Sequence, residues 1–245
     1  MKNLTEYFLS KLLPNMEQIL FTPETSYPTN NIIHRNVVIY GKPGSGKTEA
    51  VRACVEKAVE KYGREKVNSS LARNGELGLL LESGMDDKPV QILFADNVTL
   101  VKPKKVDIQN FFKIRHYYRM LTGMNNALLV TFLAAHRFHG MDISLRTDFD
   151  LLLARSSPTN PWDNNIIKRF IGEEGISLME VLEEERETRR KLYRFSMFYS
   201  KRKKGLLELP LARKNYLQEL DEYHLPEAVL KSSLFEGNVS SRGML

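Results

Sequence analysis

The segment Gly41-Lys42-Pro43-Gly44-Ser45-Gly46-Lys47-Thr48 constrains this chain more than any other. An unbroken apolar run, residues 37–40, leads into it, and such runs suit a strand buried on both faces of a parallel sheet. After it, Val51, Val55, Ala58 and Tyr62 share one helical face while Arg52, Glu56 and Glu60 share the other. The spacing therefore predicts a strand, a glycine-rich loop and a helix in direct succession. Glycines let backbone N–H groups turn inward without side-chain bulk, and the helix N-terminus adds a favourable dipole. That is a cradle for the phosphates of a nucleotide. Lys47 is expected to reach the β- and γ-phosphate oxygens, and the Thr48 hydroxyl to ligate Mg²⁺. The expected ligand is ATP with Mg²⁺, held on residues 41–48 together with Glu49. A guanine-reading Asn-Lys-x-Asp signature is absent, which argues against GTP.

A second buried-strand run, residues 90–95, ends at Asp96-Asn97. A strand that delivers a carboxylate beside such a loop supplies a metal ligand, so Asp96 joins Thr48 as a predicted Mg²⁺ ligand. Asn97 stands where a water-activating base is useful. An amide orients water but cannot take its proton, so either hydrolysis is slow or the base lies elsewhere, with Glu76 and Glu82 as candidates. A third apolar strand, residues 127–133, runs on to Ala134-Ala135-His136-Arg137. His136 is a candidate sensor of the γ-phosphate; it reads equally as a satisfied strand-end histidine. Arg115, Arg119, Arg137 and Arg146 are candidate fingers for a neighbouring subunit's nucleotide, and each also reads as a salt-bridging surface residue.

The remaining elements follow from periodicity and punctuation. Residues 1–20 read as a helix interrupted by Pro14, and Pro23 and Pro28 mark a linker, so residues 1–35 form an N-terminal appendage. A short strand is expected at 67–72 and a helix at 76–81. A helix capped by Asp107 carries Ile108, Phe111, Ile114, Tyr118 and Leu121 and stops at Gly123. A short helix at 141–145 precedes a fourth strand at 151–153. Asp163 caps a helix closed by Gly172, and Ser177 with Glu180 opens a charged helix to residue 191. Trp162 reads as a packing anchor before that first helix. Strands at 193–200 and 206–209 then form a hairpin around a basic turn, and a last helix covers 212–222. Strands alternating with helices predict an α/β fold, a mainly parallel sheet flanked by helices, with a C-terminal β-hairpin. The core is expected to span residues 36–211, with a C-terminal helix and tail at 212–245.

Composition narrows the partners. The apolar fraction of 42% and charged fraction of 27% are those of a globular protein. The single cysteine, Cys54, excludes an intrachain disulfide and reads as a small core residue. No apolar run approaches the roughly 20 residues that span a bilayer, and no apolar signal core follows Lys2, so the expectation is a cytoplasmic protein without a membrane partner. The net charge of +6 suits a polyanion such as DNA. The turn at residues 201–204, Lys-Arg-Lys-Lys, is a candidate for DNA phosphate contact, although a lysine run in a tight turn is more often a solvated loop.

In chain order, residues 41–48, then Asp96, Arg115-His116, the strand at 127–133 and Leu145-Arg146-x3-Asp150 resemble the FtsK–HerA group of P-loop ring ATPases. They are especially similar to viral genome-packaging ATPases and to related NTPases of archaeal viruses and plasmids. The resemblance covers about residues 35–155. It implies a RecA-like core, a homo-oligomeric ring, expected to be a hexamer, and ATP-driven movement of double-stranded DNA through the pore, in the host cytoplasm if the protein is viral. It also implies that Lys47, Asp96, Asn97, His136, Arg115 and Arg146 carry the catalytic roles. Two positions depart from the group: His136 stands where glutamine is common, and Asn97 where many motor ATPases place glutamate. Two other readings stay open. One is an AAA+ replication initiator or loader, with residues 163–191 as a helical lid bearing Arg169 or Arg189. The other is a low-turnover ATP-binding switch. A hairpin at 193–209 joined to the core sheet favours the FtsK–HerA reading, because a lid stays helical.

Overall fold

The computed structural model describes residues 20–21, 31–99, 103–189, 195–201 and 203–220, with backbone alone at 185–189. Its strands are β1 (Ile32–Tyr40), β2 (Val67–Ala72), β3 (Val90–Ala95), β4 (Ala127–Ala135), β5 (Leu151–Ala154), β6 (Phe195–Ser200), β7 (Lys204–Glu208) and β8 (Gln218–Glu219). Its helices are α1 (Lys47–Tyr62), α2 (Leu77–Ser83), α3 (Lys105–Phe112), α4 (Ile114–Thr122), α5 (Ile143–Thr147) and α6 (Pro161–Arg189).

Successive residues of the central strands enter opposite cores, which is why they read as continuous apolar runs. In β1, Val37 and Ile39 face the core that α1 covers, while Val38 and Tyr40 face the core under the other helices. In β4, Val130, Phe132 and Ala134 face the first core, and Leu129, Leu133 and Ala135 the second. α1 buries Val51, Cys54, Val55 and Ala58 on its side, and α2 to α6 close the opposite face. Cys54 is fully buried and burial pushes its thiol up, so it is a core residue and no nucleophile.

Among the described residues the strands form one eight-stranded sheet in the order β7-β6-β5-β1-β4-β3-β2-β8. β1 pairs in parallel with β4 and β5, and β3 in parallel with β2 and β4. β6 is antiparallel to both β5 and β7, so the predicted hairpin is part of the central sheet.

Several expectations need correction. β1 begins at Ile32, so residues 32–35, assigned to the appendage, run inside the sheet beside β4. No helix covers residues 212–220. Arg213 and Lys214 donate backbone N–H to the Glu56 carboxylate, and β8 then pairs in parallel with the edge of β2. Those long-range bonds draw the backbone out of helix, and residues 221–222 lie outside the described residues. Asp107 is inside the first turn of α3 and caps nothing; a break at Lys113 separates α3 from α4. Asn160 rather than Asp163 receives the first-turn N–H of α6, with Pro161 at the first helical position. Gly172 (φ 79°) interrupts α6, but helix resumes before Ser177, so the supposed capping box is interior. Trp162 is 72% exposed and anchors no core. The predicted helix at 1–20 lies outside the described residues apart from Leu20, which is buried with Phe21.

His34 ties the start of β1 to β4. Its Nε2 lies 2.8 Å from Thr131 Oγ1, and its ring meets Phe111 edge-on. Burial, and then the Arg115 charge, push its pKa down from 6.5 to about 4. As pH falls from 6.5 towards 4 the unfolded chain takes up this proton and the folded chain does not, so stability is lost across that window. His34→Gln is expected to flatten this acid-side loss. Melting temperatures across the window check it, and parallel slopes for wild type and variant contradict it.

Candidate active site

Because β1 to β5 run parallel, the residues that follow them emerge along one edge of the sheet, where open α/β sheets bind ligands. They are Gly41, Arg73, Asp96, His136 and Arg155. One glycine and four side chains able to carry charge are thus brought to one place by topology alone.

The loop after β1 is held from both sides. Gly41 N donates to Ala135 O at 3.1 Å, Arg155 N to Tyr40 O at 2.8 Å, and Lys42 N to Ser156 Oγ at 2.9 Å. A Cβ on Gly41 would run into the Ser45 hydroxyl and stand 3.0 Å from Arg155 Cβ, so a larger residue there displaces Ser45 and crowds Arg155. Gly46 turns the chain into α1 with φ 81°. Ser45 Oγ is buried without a hydrogen-bond partner among the described residues, an orphan acceptor and donor inside the loop.

Lys47 turns back into this loop and is 5% exposed. Its Nζ donates to Gly41 O at 2.7 Å, Lys42 O at 3.0 Å and His136 Nδ1 at 2.9 Å. Nδ1 also lies 3.1 Å from Gly41 O; opposite a charged ammonium, which only donates, Nδ1 is the acceptor and the neutral ring then carries its proton on Nε2. Burial, then the Lys47 charge, push the His136 pKa down, which keeps the ring neutral.

Desolvation pushes Lys47 itself down to about 8, with Arg155 adding to the shift and Asp96 opposing it. A polyphosphate on the loop favours the charged ammonium and raises this value again, so binding takes up a proton as pH rises past 8. Triphosphate affinity is therefore expected to fall above pH 8, by up to about tenfold per pH unit. Titration calorimetry in two buffers of different ionisation enthalpy measures the proton directly. No uptake above that pH contradicts the assignment.

Asp96 is fixed by its backbone: N donates to Ala72 O at 2.9 Å, and O accepts from Gly75 N at 2.6 Å. Its carboxylate is felt by Lys47 and lies 3.8 Å from Arg73 Nη1, while Arg73 forks onto both oxygens of Glu219 in β8. β4 separates β3 from β1, so Asp96 and the loop flank the position at which His136 emerges. The chain has the fold of a RecA-like P-loop NTPase.

Around this P-loop the predicted residues divide. Lys47, Asp96 and His136 come together. Thr48 and Glu49 open α1, and Glu49 pairs with Arg52 at 2.5 Å. Asn97 adopts φ 64°, which asparagine tolerates better than most residues, and its Oδ1 accepts from Thr99 Oγ1 at 3.2 Å. Glu76 follows the Gly75 turn that binds Asp96, whereas Glu82 is exposed on α2 near Tyr117. Arg115 is not part of the chain's own site. It is exposed on α4 and acts on His34, about 20 Å along β1 from the loop. Arg119 is exposed on the same helix, and Arg137 is exposed beside His136. Arg146 lies on the loop's edge of the sheet, its Nη1 donating to His139 O at 3.1 Å.

Three contributors escaped the sequence reading. Arg155 is buried behind the loop. Glu183 of α6 accepts from the Lys42 ammonium and from Ser157, clasping the loop's outer side. Arg73 stands between Asp96 and Glu219. The one signal for Arg155 was its place directly after the apolar run 151–154, which acquires meaning only once β5 is known to lie beside β1.

No protein-family model matches the chain, and no curated protein does. Among solved structures it is similar to the genome-packaging NTPase B204 of Sulfolobus turreted icosahedral virus 2 in complex with sulfate. That likeness is 14% identical with a TM-score of 0.49, covering 76% of this chain and 99% of that one. The complex of the same protein with AMPPCP is 12% identical with a TM-score of 0.48, covering 75% and 100%. A RuvB mutant of Thermotoga maritima is 18% identical with a TM-score of 0.32, covering 60% of this chain and 44% of that one. No helix among the described residues is long and apolar enough to cross a membrane.

Proposed function

We propose that this P-loop NTPase hydrolyses ATP in a ring of identical subunits and uses it to move double-stranded DNA, as the FtsK–HerA resemblance implies. The observation that carries the choice is the attachment of β6 and β7 to the central sheet through β5. A helical lid on the AAA+ pattern would leave the sheet after α6; this chain returns to it.

In this reading the loop from Gly41 to Lys47 and the buried Ser45 hydroxyl receive the phosphates, and Lys47 leaves its resting carbonyls for their oxygens. Thr48 and Asp96 are hard oxygen donors of the kind magnesium takes. Among the described residues no group of three or more His, Cys, Asp or Glu is placed to hold a metal alone. Magnesium usually binds through one or two carboxylates plus substrate phosphates, so the donor set fits it, with Thr48 and Asp96 holding it. When bound, it neutralises charge on the phosphates. His136 offers Nε2–H towards the terminal phosphate, the role of a sensor. Asn97 cannot serve as base, and Glu76, on the turn bonded to Asp96, is the nearer of the two candidate carboxylates. The exposed Lys201, Lys203 and Lys204 of the β6–β7 turn are the basic surface offered to DNA phosphates.

The test is ATP turnover by protein of measured oligomeric mass, with and without duplex DNA. The expected result is a ring with DNA-stimulated turnover. Turnover indifferent to DNA sinks the motor reading, and magnesium-dependent ATP binding with negligible turnover favours the switch reading that Asn97 keeps in play.

A further inference from the structure

Arg155 has no part in the function above, yet it is 3% exposed and lies directly beneath the P-loop. Its Nε donates to Ser45 O at 3.2 Å. Its Nη1 donates to Phe195 O at 3.0 Å and Ser196 Oγ at 2.9 Å, both in β6. A guanidinium retained in a buried site needs such partners, and here they belong to two segments far apart in sequence. In a trans peptide the carbonyl and the following N–H point opposite ways. Drawing the Ser45 carbonyl back towards Arg155 therefore turns the Gly46 N–H forward, into the loop. The same guanidinium places a fixed positive charge behind the cradle, close enough to act on both Lys47 and Cys54.

We propose that Arg155 is a positioning residue for the phosphate cradle, setting the Gly46 N–H through the Ser45 carbonyl and anchoring the loop to β6. The fork does the orienting and the charge strengthens the pull on an anion. This rests on the reading of the loop as a nucleotide site.

Arg155→Met and Arg155→Lys separate the two contributions. The probe is a non-hydrolysable ATP analogue with magnesium, its Kd measured by calorimetry at neutral pH, with a melting curve for each variant. At neutral pH Arg155→Lys is expected to lose about 10-fold in affinity, and Arg155→Met about 100-fold, as suits loss of charge-assisted hydrogen bonds. A nucleoside monophosphate, which lacks the phosphates that the cradle takes, adds a second readout: its affinity is expected to be the same in wild type and both variants, because the loss is confined to the polyphosphate.

If Arg155→Met does not fold, Arg155→Lys alone decides: reduced affinity for the triphosphate analogue with unchanged monophosphate affinity supports the proposal. Wild-type affinity in a folded Arg155→Lys overturns it while leaving the nucleotide reading intact. An equal loss of affinity in Arg155→Lys and Arg155→Met overturns the role given to the charge. A wild type that does not bind the analogue overturns the nucleotide reading, and this inference with it.

Discussion

Lys47→Ala is expected to abolish ATP turnover and leave the protein folded. Its ammonium is the one charge inside the loop with three partners, two of them loop carbonyls. Those contacts are a resting arrangement, because carbonyl oxygens hold a cation only until a more strongly charged acceptor arrives. The phosphates are such an acceptor, and charge that develops on them during transfer makes the ammonium worth more in the transition state than in the bound substrate. Loss of one such donor commonly costs about 10²–10³ in rate. The structural cost is small by comparison. Burial already holds the group down to about 8, a sign that its charge is not welcome in the folded state. The carbonyls it leaves face a loop built to take polar ligands, so water replaces it. Phosphate release and a melting curve on the same preparation check both halves. Wild-type turnover in a folded variant places the hydrolysis somewhere other than this loop.

The parts of the site legible in the sequence were those fixed by neighbours along the chain. The strand before the loop and the helix after it declare themselves through burial on both faces and through an amphipathic stripe. Gly63 and Gly123 end their helices with φ 90° and φ 69°, a stop that needs only local geometry. His136 was found because the end of β4 lies beside the strand of Asp96 in such a sheet, and Lys47 does meet it. What stayed hidden depends on residues distant in sequence. Arg155 reaches Ser45 and Ser196, 110 and 41 positions away. Residues 212–220 carry helix-compatible sequence, yet an open edge on β2 and the Glu56 carboxylate offer their backbone better partners. Asp107 and Asp163 have the chemistry of helix caps. Asp163 instead lies fully buried, accepting from His139 N at 2.7 Å and Asn160 Nδ2 at 2.8 Å, a network no local pattern announces.

Asp96→Asn is the second substitution with a large expected effect, and it separates metal seating from fold. The replacement is nearly isosteric. Asp96 is held by its own backbone, through Ala72 O and Gly75 N, so the amide keeps its place at the end of β3. What changes is charge. An amide oxygen is a far weaker magnesium ligand than a carboxylate, and turnover is expected to fall by about 10²–10³, with half-activation moved to higher magnesium concentration. A second consequence comes from Lys47. The Asp96 carboxylate is the influence that supports the ammonium against desolvation and Arg155. Without it Lys47 titrates below its wild-type value of about 8, and the alkaline fall in triphosphate affinity begins at lower pH. A magnesium titration of turnover and a pH series of Kd measure the two effects. If Asp96→Asn needs no more magnesium than the wild type, the cation is seated elsewhere; if its alkaline fall does not move, Asp96 is not the charge that keeps Lys47 protonated.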